Sequence, residues 1–140
     1  MTIDDIARAH AQLDRALRTT AHVIVMPTGL RLMNSNERPH PRVRALRTKA
    51  LREAAREMAM LADLPHLNRA HIYCHLRATN RARRDPGNWY PSAKACVDGL
   101  VDAGVLDDDD HTRVIGPDMR LAPEVVRGGQ LVITLIELPS

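Results

Sequence analysis

The pattern of hydrophobic and polar positions along the chain predicts four strands. His22–Met26 is a short apolar run that ends at a proline, and Thr112–Ile115 is a second short strand candidate. Ala70–Thr79 alternates apolar and polar side chains, which is the pattern of a strand with one buried face. Leu131–Leu138 is almost continuously apolar and is therefore expected to be central in a sheet or covered on both faces.

The helical spacing of other apolar residues predicts two main helices. The first covers Arg42–Leu64. Its expected buried side consists of Val43, Leu46, Ala50, Leu51, Ala54, Met58 and Leu61. The second lies between Pro91 and Gly104, because proline suits the first turn of a helix and glycine suits the position just past its end. A further helix is predicted over Thr2–Thr20, with Thr2 as its cap.

Two stretches rich in proline and glycine connect these elements. Residues 27–41 form a predicted loop of about fifteen residues, and loops of that length inside a compact domain are usually functional or disordered. Residues 116–129 are predicted to be rich in turns. The glycine pair Gly128-Gly129 at the end of this stretch is a hairpin signal directly before the last predicted strand.

Length and composition fit a single domain with an aliphatic core. The 140 residues include no phenylalanine and only 2% aromatic residues. We predict an α+β fold in which residues 1–20 form a helical extension, while residues 21–140 form one domain with a mixed β-sheet of about four strands and two main helices. There is no apolar run of about 18 residues and no signal peptide, which predicts a cytoplasmic protein with no membrane partner.

Cysteines and histidines give no metal-ligand pattern. Cys74 and Cys96 lie far apart without a CxxC motif, so we expect two reduced thiols that behave as small buried hydrophobic residues. His71 and His75 are four residues apart on a predicted strand, which separates them by about 13 Å and prevents them from sharing one ion. They are expected on the helix-free or substrate-facing side of the sheet. No P-loop, dinucleotide-binding, nucleophile-elbow or zinc-protease motif is present.

Charge is distributed unevenly along the chain. The net charge is +3 and the pI is about 9.3, with basic residues concentrated between Arg31 and Arg56. Four consecutive acids, Asp107–Asp110, follow the second main helix at the end where its dipole disfavours anions. Such a run needs compensation by arginines, a lysine or a bound metal, unless it is simply a solvated acidic loop. Separated charge of this kind suits a protein that binds a polyanion with one region and a cation with another.

The stretch between Arg81 and Asp110 resembles the RusA family of Holliday junction resolvases, which are common in phages and prophages. The motif is RRD-x-x-N, then Lys-Ala-x-x-Asp-x-Leu on a helix, then Ala-Gly and an Asp-Asp loop before a strand. Its residues here are Arg83, Arg84, Asp85, Asn88, Lys94, Ala95, Asp98, Leu100, Ala103, Gly104 and Asp107–Asp110. A looser likeness extends from about His22 to Leu138.

The resemblance implies a structure-selective endodeoxyribonuclease that resolves four-way DNA junctions in recombination and repair. It implies a homodimer, which suits the two-fold symmetry of a junction that needs paired nicks. It also implies Mg²⁺, with Mn²⁺ as an alternative, because carboxylate-bound Mg²⁺ can activate water and meet the charge of the leaving oxygen.

The resemblance also assigns roles at the site. The implied metal ligands are Asp85 and one or two of Asp108, Asp109 and Asp110; Asp85, Asp109 and Asp110 are ranked as catalytic. Counting from the glycine after the helix favours Asp108 and Asp109 as the family's pair, whereas counting back from the next strand favours Asp109 and Asp110. Lys94 matches the family lysine that stabilises charge on the scissile phosphate. The alternative for Lys94 is a plain i,i+4 ion pair with Asp98.

The predicted DNA contacts come from two loops. They are Arg31, Arg38, Arg81, Arg83, Arg84 and Asn88, because guanidinium groups match phosphate geometry. The alternative for the 27–41 loop is a mobile surface loop, and the alternative for Asn88 is a helix cap. Trp89 and Tyr90 are candidates to stack on a base or, equally, to anchor their loop on the core.

One departure from the family pattern bears on activity. The family has a second acid two residues after the first, and Gly87 occupies that position here, with three extra residues before the helix. Loss of this carboxylate would weaken metal affinity. The sequence therefore leaves three functions open: a junction nuclease, a DNA-junction binder that does not cleave, and a protein-interaction module.

Overall fold

The computed structural model describes residues 2–10 and 21–139. Residues 3–10 are helical and exposed, and the rest of the predicted extension, residues 11–20, lies outside the described part. The cap is confirmed, because the Thr2 hydroxyl accepts a hydrogen bond from the Asp5 backbone N–H at 3.2 Å. The main elements are β1 (Ala21–Val25), α1 (Pro41–Leu61), β2 (Ala70–Ala78), α2 (Tyr90–Asp102), β3 (Val114–Val125) and β4 (Gln130–Glu137).

These strands form one mixed sheet of four strands in the order β1-β4-β2-β3. The β2–β3 pair is parallel, whereas β4 pairs antiparallel with both β1 and β2. The predicted α+β class with a mixed four-stranded sheet is thus confirmed. The central position predicted for the last strand is also confirmed, since β4 lies between β1 and β2.

The stretch predicted to be turn-rich is mostly strand. β3 continues to Val125 rather than ending at Ile115, with irregularities in its pairing to β2 after His71 and after Leu76. β3 is one of the two edge strands, and an edge tolerates prolines such as Pro117 and Pro123 because one side of the strand needs no ladder hydrogen bonds. The hairpin prediction was wrong. The glycine pair does make a turn with φ of 81° and 82°, but β3 and β4 lie on opposite sides of β2.

The alternation predicted along β2 is confirmed. Ile72, Cys74 and Leu76 are buried on the face that packs against α2, while His71, Tyr73, His75 and Arg77 are half-buried on the other face. Both cysteines are free and buried, as expected. Burial raises the pKa of the Cys74 thiol to about 12.

Helix α2 is packed between the sheet and α1. Seven of its residues are buried, among them Gly99, whose missing side chain permits close contact with α1. A Cβ atom at Gly99 would lie 2.2 Å from the Arg52 carbonyl oxygen. Proline in the first turn and Gly104 just past the end, at φ 80°, match the prediction.

The buried side of α1 is predicted correctly in part. Leu51 of the predicted side is fully buried, and Ala54 and Met58 pack against the core. Val43, Leu46 and Leu61 of that side are exposed, whereas Ala55 and Ala59, which were not predicted, are buried. Small side chains face α2 because the two backbones approach closely at Gly99, which leaves no room for large ones.

The long loop between β1 and α1 is anchored on the core. Met26 and Met33 are buried. Ser92, which is fully buried, donates its hydroxyl to the Met33 carbonyl at 2.9 Å and accepts from the Met33 N–H at 2.6 Å. Gln130 donates its side-chain amide to the Met26 carbonyl at 2.8 Å. These bonds hold the loop beside the start of α2.

Candidate functional site

Lys94 lies at the centre of the predicted catalytic region, with its ammonium group between two carboxylates. It donates to Asp98 at 2.7 Å, one helical turn along α2, and to Asp109 in the acidic loop beyond the helix. The ion pair with Asp98 that was one alternative for Lys94 is thus present, together with a second bond to Asp109. Partial burial acts to lower the pKa of Lys94, but the bonds to Asp109 and Asp98 outweigh it and raise the pKa.

The acidic loop folds back along α2, and each of its aspartates has a partner. Asp107 pairs with His66 at 3.0 Å and lies 3.8 Å from an Arg113 nitrogen. Asp108 accepts a hydrogen bond from the Asp109 backbone N–H at 2.7 Å. The prediction that cations compensate the run is confirmed for two of its aspartates, because Lys94 bonds to Asp109 and Arg113 lies near Asp107.

Two aspartates of the loop have a depressed pKa. The Lys94 hydrogen bond lowers the pKa of Asp109, whose side chain is largely covered. The Thr112 hydroxyl and backbone N–H, which both donate to Asp110, lower the pKa of Asp110. Both groups are therefore carboxylates at neutral pH, the form in which an aspartate binds a cation.

Among the described residues, Asp85 makes no hydrogen bond or ion pair with this loop. Its carboxylate accepts the Gly87 N–H at 2.9 Å and caps a single 3₁₀ turn, Pro86–Trp89. It follows the end of β2, whereas the acidic loop precedes β3; because these strands are parallel, the two loops leave opposite ends of the pair. Helix α2, which spans about 20 Å, connects them. Within residues 2–10 and 21–139, no group of three or more histidines, cysteines or acids is arranged to hold a metal.

The predicted DNA contacts near Asp85 are mostly engaged within the chain. Arg84 donates to the Ala82 carbonyl at 3.0 Å and stacks over Trp89. Arg81 donates to the Pro123 carbonyl at 3.3 Å. No ion pair or hydrogen bond of the described residues involves the side chain of Arg83, which is exposed.

The predicted contacts in the first loop and around Asn88 are also accounted for. Arg31 lies 3.8 Å from Glu37, and Arg38 donates to the Ser35 carbonyl at 2.5 Å. The Asn88 carbonyl accepts the Ser35 N–H at 2.8 Å, which joins the two predicted DNA-contacting loops. Asn88 is not a cap: Trp89 occupies the cap position of α2 and makes no side-chain cap bond. Trp89 packs against the core, which confirms the alternative that it anchors its loop there.

A groove between α1 and α2 was missed by the sequence prediction. A cavity of about 320 Å³ is lined by Met33, Arg44, Thr48, Tyr90, Pro91, Lys94, Ala95 and Asp98. It continues into an open depression of about 520 Å³ along α1, whose lining includes Arg44, Thr48, Lys49 and Arg52. The sequence could not single out Arg44 among the exposed arginines of α1, because the groove exists only where α1 and α2 pack together.

Comparisons with known proteins add no identification. The chain matches no protein-family model, and no curated protein is significantly similar to it. None of the described helices combines the length and apolarity that crossing a membrane requires. What the fold and site define is a small α+β domain with a lysine–carboxylate cluster beside a basic groove.

Proposed function

We propose that the protein is a metal-dependent endonuclease that cleaves phosphodiester bonds in branched DNA. The observation that carries this proposal is the Lys94 ammonium group held between Asp98 and Asp109 at the edge of a groove lined by Arg44. Metal-assisted phosphodiester hydrolysis needs carboxylates beside a cationic groove. The carboxylates bind the metal, and the cationic side chains of the groove bind the phosphates.

The proposed roles follow the chemistry of each group. Aspartates of the acidic loop, chiefly Asp109 with Asp108 or Asp110, would hold Mg²⁺ or Mn²⁺, because oxygen ligands from one or two carboxylates are what Mg²⁺ prefers. The metal, when bound, supplies activation of water and charge stabilisation. Lys94 is poised to move from the carboxylates to a phosphate oxygen. Asp85 is retained as a candidate ligand from the resemblance.

The donor set fits the metal in type and in ionisation. Asp109 and Asp110 have lowered pKa values and stay ionised at neutral pH. The Asp109 side chain is only 26% exposed, so it offers a partly desolvated carboxylate, which binds a cation more strongly than a fully hydrated one.

The test measures nicking of a synthetic mobile four-way junction in about 10 mM Mg²⁺ or Mn²⁺. This concentration is chosen to fill even a weak metal site. We expect paired symmetric nicks from the wild-type chain. Asp109→Asn and Lys94→Ala should each lower the rate by about 100-fold or more, since both remove charge stabilisation that acts in the transition state. Glu57→Gln is the matched control, because Glu57 is an exposed acid on α1 outside the groove.

The same assay separates three outcomes. Nicks that are lost in Asp109→Asn but kept in Glu57→Gln support the endonuclease. Tight junction binding without nicks supports the second candidate, a non-cleaving junction binder, which is favoured by the glycine at the position of the family's second acid. Neither binding nor nicking would reject both and favour a protein-interaction module.

We also propose that the active form is a homodimer, because two nicks related by two-fold symmetry require two sites. Sedimentation velocity across a hundredfold range of protein concentration, with and without junction DNA, measures the assembly. A monomer bound as a single copy to the junction would contradict this part of the proposal.

A further inference from the structure

Arg44 occupies an unusual electrostatic position at the start of α1. Its side chain lines three adjoining depressions. Glu37 and Arg47 also line the first, Lys94 and Asp98 line the second, and Lys49 and Arg52 line the third. It is exposed, and among the described residues no carboxylate lies within ion-pair distance of its guanidinium group.

The acids around Arg44 are already neutralised by other cations. Glu37 is 3.4 Å from Arg47 and 3.8 Å from Arg31. Asp98 is bonded to Lys94, and Asp102 makes a two-bond pair with Arg52 at 2.5 and 2.8 Å. The groove therefore keeps a surplus positive charge at Arg44.

The shape and lining of the groove point to a phosphate within a longer chain. The cavity beside Lys94 is open to solvent and shares Arg44 and Thr48 with the depression along α1 that includes Lys49, so the two form one continuous open surface for an extended ligand. Tyr90 lines the same cavity and is 44% exposed, which offers an aromatic ring to a base or sugar beside the phosphate. A planar guanidinium fork matches two oxygens of a phosphodiester.

We infer that the α1–α2 groove is a nucleic-acid backbone site, in which Arg44 binds a phosphodiester next to the one that reaches Lys94. This inference rests on the proposed function and adds to it the path of the strand, which runs along α1 rather than only over the two arginine-bearing loops. Arg44 is a binding residue in this scheme and takes no part in the chemical step.

The experiment measures binding without cleavage. Fluorescence anisotropy of a labelled four-way junction, and of a linear duplex of equal length, is followed in EDTA at several KCl concentrations. Wild type is compared with Arg44→Ala, Arg44→Lys and Arg42→Ala. Arg42 is the matched control, because it is an exposed arginine on the same helical turn that lines none of the three depressions. Circular dichroism and melting temperature verify that each variant folds.

Loss of one phosphate contact is expected to change both the affinity for DNA and its dependence on salt. Arg44→Ala should weaken binding about tenfold near 0.1 M salt and reduce the slope of log K against log[salt] by about one. Arg44→Lys should keep most of the slope, because the charge is retained. Arg42→Ala should change affinity by less than about twofold. Inorganic phosphate should compete only weakly, since a single anion lacks the neighbouring contacts of a strand.

Each other result overturns the inference. Unchanged binding by Arg44→Ala, an equal loss in Arg42→Ala, strong competition by inorganic phosphate, or no DNA binding by the wild-type chain would each reject a backbone site in this groove. Nicking measured in parallel keeps the two proposals distinct. A wild-type chain that nicks while Arg44→Ala binds normally retains the endonuclease and rejects the groove. A chain that binds DNA through Arg44 without nicking it retains the groove and rejects the endonuclease.

Discussion

At the scale of single residues, the pairing of Asp109 with Lys94 makes stability depend on pH. The hydrogen bond from Lys94 lowers the folded-state pKa of Asp109 below its unfolded value of about 3.9. The stabilisation is therefore fully present above about pH 4 and is lost as the pH falls through the folded-state pKa. The raised pKa of Lys94 acts at the other end of the scale, because its contribution is lost only as the pH rises through that pKa.

We predict that Asp109→Asn costs about 1 kcal/mol or less at pH 7 and less at pH 3, below the unfolded-state pKa of about 3.9. The magnitude is limited because the Lys94 side chain is 41% exposed and solvent screens the pair. Urea unfolding of wild type and variant at both pH values measures the difference. Glu57→Gln should show little effect at either pH; an equal cost of Asp109→Asn at both would contradict the assigned pair.

The position of Gly87, where the RusA motif that the sequence resembles has an acid, allows a second prediction. A Cβ at Gly87 would lie 3.2 Å from an oxygen of Asp85, so Gly87→Asp places two carboxylates side by side. We expect this variant to be destabilised by about 1 kcal/mol without metal, through repulsion between like charges. We expect a larger rise in melting temperature on adding Mg²⁺ than for the wild-type chain. Gly87→Asn has the same shape without the charge, and an equal metal response from it would reject the reconstructed site.

At the scale of secondary-structure elements, the contact between the two helices depends on Gly99. Replacing a glycine with alanine inside a helix normally stabilises it by about 0.5–1 kcal/mol. Here the new methyl group would meet the Arg52 carbonyl oxygen at 2.2 Å, which forces the helices apart. We predict that Gly99→Ala lowers the free energy of unfolding by about 2–3 kcal/mol.

Gly104→Ala is the comparison for that measurement. Nothing lies within 4 Å of a Cβ at Gly104, so its cost comes only from the left-handed backbone at φ 80° and should be about 1 kcal/mol. Chemical denaturation of both variants gives the ranking. A stabilising Gly99→Ala would show that α1 and α2 do not pack as closely as described.

The elements that sequence alone predicted well are those whose pattern reflects their own environment. The alternation in Ala70–Thr79 and the caps around Pro91 and Gly104 are local signals, and the structure confirms them. The buried side of α1 was only partly predicted: Leu51 is buried as expected, but Ala55 and Ala59 are buried in place of the larger Val43 and Leu46. Periodicity ranks side chains by hydrophobicity, and it does not detect a backbone contact that excludes large residues.

At the scale of the whole molecule, the order of the strands in the sheet determines which strands pair, and the sequence pattern could not predict that order. The Gly128-Gly129 turn was recognised, but which strands it joins depends on β2 lying between them, and no local pattern contains that information. The same limit applies to the site. Lys94 and the acidic loop were predicted and the structure brings Asp109 to Lys94, whereas the direction of β3 relative to β2 sends Asp85 to the other end of the strand pair. The groove at Arg44 required knowing how two helices pack.

The two faces of the sheet have different surroundings, and successive side chains of β4 point to one face and then the other. Leu135 is fully buried on the side of α2. The next residue, Ile136, is half-buried on the opposite face, where Val23 is 55% and Ile115 is 45% exposed. Among the described residues, that side of the sheet therefore has exposed apolar side chains interspersed with polar ones such as His71 and Thr134.

This difference gives the last prediction. Leu135→Ala should lower the free energy of unfolding by about 3–4 kcal/mol, because it leaves a cavity in a close-packed core. Ile136→Ala should cost only about 1 kcal/mol, since that side chain is already partly in contact with water. Urea denaturation at two protein concentrations tests both variants. If Ile136→Ala costs as much as Leu135→Ala, the open face is covered in solution. A midpoint that rises with protein concentration then assigns the cover to a second copy of the chain, because only association depends on concentration.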